Sequence, residues 1–272
     1  MGGAKRHPSL PQQILSFLSG INTMLHKTLY LPCVLLVSNI IWEITTFKTF
    51  ITVAKAQSFE PPVNTPAPTT TIGGGRRGND GQCLIDRDLQ GDIKEKKNPI
   101  EQEITLLLPP NKFGLTISSH PQFFVYIPKT NAISVEFTLE NHQGKGIASK
   151  RLALTNTPSI VTVQFDQNPL EIGKDYKWLV SVVCETGDPE DLFSEGIIRR
   201  IKPEQNTLAK LGKATAIDKV YLYAKLGIWH EAIAELAALR RSQPNNTVIK
   251  TNWLNLLKSA NLEHFAHIPL KF

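Results

Sequence analysis

Several groups of residues in this sequence have side chains that could do chemistry at their spacing. His264 and His267 lie three apart, which puts two imidazoles on one helical face as ligands for a metal such as zinc. No third ligand of suitable spacing accompanies them, so no metal is assigned. Asp188, Glu190, Asp191 and Glu195 offer the oxygen ligands that calcium takes, but without the regular spacing of a calcium loop, and read as a solvated turn. Glu136 and Glu140 share one face of a candidate strand. Paired carboxylates can hydrolyse glycosides, one as general acid and the other as base or nucleophile. An outward strand face carries such pairs routinely, so no catalytic residue is assigned. Gly73-Gly74-Gly75-Arg76-Arg77-Gly78 has the glycine density of a phosphate loop. It lacks the following Lys-Ser/Thr, a preceding strand and a succeeding helix, and reads as linker. No Gly-x-Ser-x-Gly, His-Glu-x-x-His or reactive Cys-His arrangement occurs. With no catalytic residue and no cofactor assigned, the sequence points towards binding rather than turnover.

The three cysteines are Cys33, Cys83 and Cys184. Cys33 lies in an apolar N-terminal stretch, which leaves two in the remainder. In an exported domain two cysteines suggest one disulfide, Cys83 to Cys184; in a cytosolic protein they would be buried free thiols. The net charge of +6 argues little for nucleic acid once it is located. Residues 1–56 carry Lys5, Arg6, Lys27, Lys48 and Lys55 against Glu43 alone, and so hold most of it. Nothing later is basic enough to track a phosphate backbone.

From Leu29 to Trp42 the chain is apolar except for Ser38 and Asn39, with Lys27 before it and Ala54-Lys55-Ala56 after it. A positive flank, a short apolar run and small residues at an A-x-A site are the parts of a secretory signal peptide. Cleavage is expected between Ala56 and Gln57. A start at Met24 makes the signal 33 residues long, a better length than the 56 counted from Met1. The alternative is an uncleaved membrane anchor. The run before Glu43 falls short of the ~20 residues that span a bilayer, and extending it buries Glu43 and Lys48. Cys33 follows Pro32, which does not suit a lipoprotein site.

These segments frame four regions: an N-terminal extension and signal peptide over 1–56, a Pro/Thr/Gly-rich linker over 57–82, a β domain over 83–203 and a helical C-terminal unit over 204–272. The linker has almost nothing to fill a core. Between Glu103 and Lys202 short apolar runs follow one another: Ile104–Leu108, Phe123–Ile127, Ser134–Glu140, Ile147–Leu154, Ile160–Phe165, Tyr176–Glu185 and Gly196–Ile201. Several alternate with period two. Val135, Phe137 and Leu139 share a face, as do Val161, Val163 and Phe165, and as do Tyr176, Trp178, Val180, Val182 and Cys184. Prolines, glycines and asparagines separate them. About seven short strands of this kind predict an antiparallel immunoglobulin- or fibronectin III-like sandwich. Leu170–Tyr176 before the Trp178 strand resembles the tyrosine corner of such folds, a structural device.

After Pro203 the spacing becomes helical. Ala216–Leu226 and Glu231–Arg241 have apolar residues three and four apart, and a further helix is expected at Trp253–Ala260. Tyr223, Gly227, Trp229, Ala232 and Pro244 fall where a tetratricopeptide unit places its aromatics, turn glycine, small packing residue and terminal proline. Leu239 stands where that repeat usually has a small residue, and no second copy is visible. One repeat cannot bury both faces alone, so it must pack on the β domain or on the following helix.

Taken together, the chain resembles the cyanobacterial family called domain of unknown function 928 (DUF 928). The resemblance rests on Gly73–Cys83, on His120-Pro121-Gln122-Phe123-Phe124-Val125-Tyr126-Ile127-Pro128, on Tyr176–Cys184 and on Tyr223–Leu239, and covers about residues 73–260. Where the family usually has Arg-Ser after its second cysteine, this chain has Glu185-Thr186-Gly187-Asp188. The resemblance implies export and this architecture, and assigns no activity. The resulting expectation is a non-enzymatic binding or scaffold protein of the periplasm or cell surface, touching the membrane only through its N-terminal segment. Its partner would be an envelope protein or a glycan, with the exposed aromatics from Phe123 to Tyr126 one place for an interface. A carbohydrate-binding module or weak glycan hydrolase is the alternative.

Overall fold

The computed structural model describes residues 58–62, 103–183 and 189–271. Cys33, Ala56, Gln57, Cys83, Cys184 and the Gly73–Gly78 cluster lie outside the described residues. The fold is mainly β, with two sheets followed by helices. One sheet holds β1 (Thr105–Leu106), β3 (Gln122–Ile127), β6 (Ser159–Gln164) and β9 (Leu270–Lys271), in that order. The other has the order β2 (Phe113–Thr116), β8 (Pro189–Arg200), β7 (Asp175–Val183), β4 (Ser134–Glu140) and β5 (Gly146–Ala153). The chain crosses between sheets from β3 to β4, from β5 to β6 and from β6 to β7, and turns back within one sheet at β4–β5 and β7–β8. This is the Greek-key path of an immunoglobulin-like sandwich.

Period-two alternation fixes which side of each strand is buried. Val135, Phe137 and Leu139 on β4 are buried, while Glu136 and Glu140 face outwards as ion pairs with Arg151 and Lys177 at 2.7 and 2.9 Å. Tyr176, Trp178, Val180 and Val182 on β7 form the facing row. At the turn into β7 the Tyr176 hydroxyl accepts a hydrogen bond from the Glu171 N–H at 3.0 Å, the contact that defines a tyrosine corner.

Strand β3 breaks the alternation, because Phe123, Phe124, Val125, Tyr126 and Ile127 are all buried. A continuous apolar run marks a strand covered on both faces. Phe123 packs on Trp178 inside the sandwich, centroids 4.8 Å apart, whereas Tyr126 stacks at 4.4 Å on Phe265 of the helical layer. These aromatics are therefore core, and they offer no exposed interface.

The helical layer comprises α1 (Gln205–Lys213), α2 (Ala216–Lys225), α3 (Trp229–Ser242) and α4 (Thr247–Lys258), then a 3-10 turn at Glu263–Phe265. Thr215 caps α2 by accepting from the Asp218 N–H, and Asn246 caps α4 by accepting from the N–H groups of Val248 and Ile249. Between α2 and α3 Gly227 has φ +69°, and the Ile228 N–H returns to the Tyr223 carbonyl at 2.9 Å. That left-handed step closes a Schellman motif and turns the chain directly into α3. Beyond the 3-10 turn β9 adds to the edge of β6 in parallel, so the helical layer is fastened to the sheet at its far end. Among the described residues no helix is long and apolar enough to cross a membrane.

Candidate functional site

The seam between α3 and the sheets holds the buried polar groups that demand explanation. Three consecutive residues at the start of α3 reach three different parts of the sandwich. Trp229, fully buried, donates its Nε1–H to the Leu107 carbonyl at 2.7 Å. His230, 3% exposed, places Nδ1 at 3.1 Å from the Gln122 carbonyl. A carbonyl can only accept, so Nδ1 carries the proton and Nε2 the lone pair. Glu231 reaches the loop after β2. Its Oε1 accepts from Thr116 Oγ1 at 2.6 Å, Ile117 N at 3.0 Å and Ser118 N at 2.9 Å.

The second halves of both titratable groups are buried without a hydrogen-bond partner: His230 Nε2 and Glu231 Oε2. A methyl on Gly114 would stand 2.6 Å from His230 Nε2, so the glycine is what lets the ring lie against β2. An imidazolium there would bury an unpaired charged N–H. Burial accordingly holds the His230 pKa down, to about 4, with the Gln122 carbonyl pulling weakly the other way. Burial pushes the Glu231 carboxyl above its ordinary range, opposed by its bonds from Thr116, Ser118 and Ile117.

Beside this seam lies an open pocket of about 300 Å³. Ser118, His120, Gln122, Gln164 and Glu235 line it around Glu231. The loop that forms its wall is held by local bonds. Ser118 Oγ accepts from the His120 N–H, and Gln164 Nε2 donates to the His120 carbonyl at 2.7 Å. Thr116, whose hydroxyl donates to the Glu231 carboxylate, has no exposure at all. His230 and Glu231 both border the pocket, with His230 Nε2 lying against Gly114. Through their hydrogen bonds Trp229, His230 and Glu231 fasten α3 to the sandwich.

A second feature sits at the elbow between α2 and α3. Residues 58–62, which composition assigns to the linker, are docked there. Phe59 is 5% exposed and meets Trp229 edge-on, centroids 5.0 Å apart. The Glu60 N–H donates to the Ala224 carbonyl at 3.1 Å, which also accepts from the Gly227 N–H at 3.2 Å. Pro62 lies over Gly227, whose hypothetical Cβ would be 2.8 Å from the proline ring.

The residues singled out from sequence fall as follows. Tyr176 and Trp178 are in the sandwich core, and Gly227 and Trp229 make the elbow. His264 and His267 are both exposed, on and just after the 3-10 turn. Glu195 is buried within 3.9 Å of Lys177, and Asp188 lies outside the described residues. The Arg151 hydrogen bond holds the Glu136 carboxyl below its ordinary range, the opposite of what a general acid needs. Among the described residues no group of three or more His, Cys, Asp or Glu could hold a metal. Sequence reasoning misses His230 and Glu231. The one signal is His230, a polar residue three before Ile233 and seven before Ala237 on the buried face of the helix; Glu231 stands off that face.

Residues 72–270 match the family model described as Domain of Unknown Function (DUF928). No curated protein matches the sequence. Among solved structures, the chain is similar to the CARDB domain of a Pyrococcus furiosus protein in complex with di-metal ions. Identity is 14%, 37% of this chain and 91% of that chain are covered, and the TM-score is 0.25. It is also similar to the fn3 domain of the human collagen alpha-1(XX) chain, at 13% identity, with 42% and 94% covered and a TM-score of 0.24.

Proposed function

The chain belongs to the DUF928 family, and from that starting point we propose that it is an exported, non-enzymatic binding or scaffold protein of the cell envelope. One observation carries the non-enzymatic part: the titratable groups buried at the seam, His230 and Glu231, are committed to fastening α3 onto the sandwich. Its partner is an envelope protein, with no role for nucleic acid and with membrane contact confined to the N-terminal segment.

Export is supported by the apolar run at Leu29–Trp42 and the small residues at Ala54 and Ala56. In an oxidising compartment Cys83 and Cys184 form a disulfide. The hairpin α2–α3 is a single tetratricopeptide-like unit, supported by the positive φ of Gly227, by full burial of Trp229 and Ala232, and by Pro244 just after α3. The test of compartment is the intact mass of the native protein, with thiol alkylation before and after reduction. A start at Gln57 with thiols blocked only after reduction is expected; a full-length mass with free thiols sinks the export reading. Cross-linking in the envelope fraction should then return one reproducible partner.

A carbohydrate-binding role is the second reading, favoured by the amide, hydroxyl and carboxylate lining of the seam pocket. A glycan array separates the two readings. If any glycan cleavage is found, its persistence in Glu136→Gln removes the hydrolase version.

A further inference from the structure

We propose that the elbow between α2 and α3 is a recognition site for an extended peptide of the form aromatic-x-Pro-Pro, and that residues 58–62 are its resident ligand. The inference goes beyond the reading above and stands whether or not the chain is exported.

Four features make the elbow a site and the segment a ligand. An aromatic side chain fills a place against the fully buried Trp229. A backbone N–H, that of Glu60, adds a second hydrogen bond to the Ala224 carbonyl at the end of α2, beside the one from the Gly227 N–H. The proline ring packs where only a glycine permits it, with Gly227 closed to any Cβ by Pro62 and by the Glu60 carbonyl at 3.0 Å. The pair Pro61-Pro62 presets an extended backbone, so little order is lost on docking. Glu60 and Pro61 point outwards and are exposed, which leaves the middle position of the motif free in chemistry.

The segment is not the continuation of a strand. Forty residues of sequence, 63–102, separate it from the start of the β domain at Glu103. A ligand joined to its site by a stretch of such length competes at an effective concentration on the order of millimolar. The site is therefore filled in cis, and an outside peptide of the same chemistry must displace the strap. Its own strap is then an inhibitor that sets the threshold for a partner.

The test uses the full chain and a fluorescein-labelled peptide, Gln-Ser-Phe-Glu-Pro-Pro-Val, read by anisotropy. Phe59→Ala empties the aromatic place and should bind the peptide roughly tenfold or more tighter than the unmodified chain. A peptide with alanine for its phenylalanine should fail to bind either. Circular dichroism checks that the variant is folded. If it is not, Pro62→Ala, which keeps Phe59 on Trp229, serves instead and should show a smaller gain. Equal affinity for variant and unmodified chain, or no binding to any of them at several millimolar peptide, overturns the proposal.

Discussion

Acid should weaken this protein through His230, and the size of the effect follows from its burial. The ring is 3% exposed, donates from Nδ1 to the Gln122 carbonyl and has no acceptor near Nε2. Its pKa falls from 6.5 when free to about 4 in the fold. Between these values the unfolded chain takes up a proton that the folded chain refuses. The stability due to neutral His230 is thus complete above pH 6.5 and is lost as pH falls towards 4. Linkage puts the loss between pH 7 and pH 5 at about 2 kcal/mol, approaching about 3 kcal/mol below pH 4. Glu231 works the other way. Its raised pKa means that the folded state gains a proton first, which adds stability on acidification and offsets part of the loss. The assay is urea unfolding followed by tryptophan fluorescence at a series of pH values, comparing the unmodified protein with His230→Asn. Asparagine places its amide nitrogen near the Nδ1 position, so it can still donate to the Gln122 carbonyl, and it does not titrate. The variant should lack about 2 kcal/mol of the fall between pH 7 and pH 5. Parallel curves would refute the reasoning, since they would mean that His230 charges as easily in the fold as outside it.

Further outcomes are expected at three other positions. Glu231→Ala leaves the donors of Thr116 and Ile117 without their acceptor and takes one of two acceptors from the Ser118 N–H, and should cost about 2–3 kcal/mol in the same unfolding assay. Glu231→Gln, which keeps one oxygen acceptor and removes a buried charge, should cost less than the alanine. Gly114→Ala drives a methyl into the His230 ring and should lower stability by about 1–3 kcal/mol, with the loss largely relieved by His230→Ala in the double variant. Tyr176→Phe removes only the hydroxyl bonded to Glu171 N–H and should cost about 1 kcal/mol, leaving the fluorescence spectrum of the folded state unchanged.

The sheets are largely legible in the sequence because alternation is a strong signal wherever one face is buried and the other wet. The run Ser134–Glu140 coincides with β4 end to end, and the rows Val135/Phe137/Leu139 and Val161/Val163/Phe165 point inwards as their parity predicts. Two strands escape. Phe113–Thr116 is four residues long, buried throughout and paired in parallel with β8, so it has no alternation to show. Leu270–Lys271 is two residues long and exists only through its pairing with β6. Helix α1 escapes because it buries Leu211 alone and so lacks an apolar stripe. The site is hardly legible at all. His230 and Glu231 are meaningful only against Gln122 and Thr116, more than a hundred positions away. Phe59 is hidden by its neighbours, because a single aromatic among prolines and threonines does not change the composition of a segment.

Strand β3 gives the fold an Achilles heel that bears on how the protein can be cut and handled. Gln122–Ile127 is short, uncharged and free of proline and glycine, and is rich in β-branched and aromatic residues. Such segments stack into insoluble assemblies when laid bare. In the intact fold β1 and β6 occupy its two edges, and the helical layer roofs the face that carries Tyr126. A chain truncated near Pro203 would lose that roof, and the two-residue β9 with it, while keeping β1 to β8. It should precipitate or form soluble aggregates rather than yield a clean minimal domain, so the helices act as a built-in solubility shield for the strand beneath them.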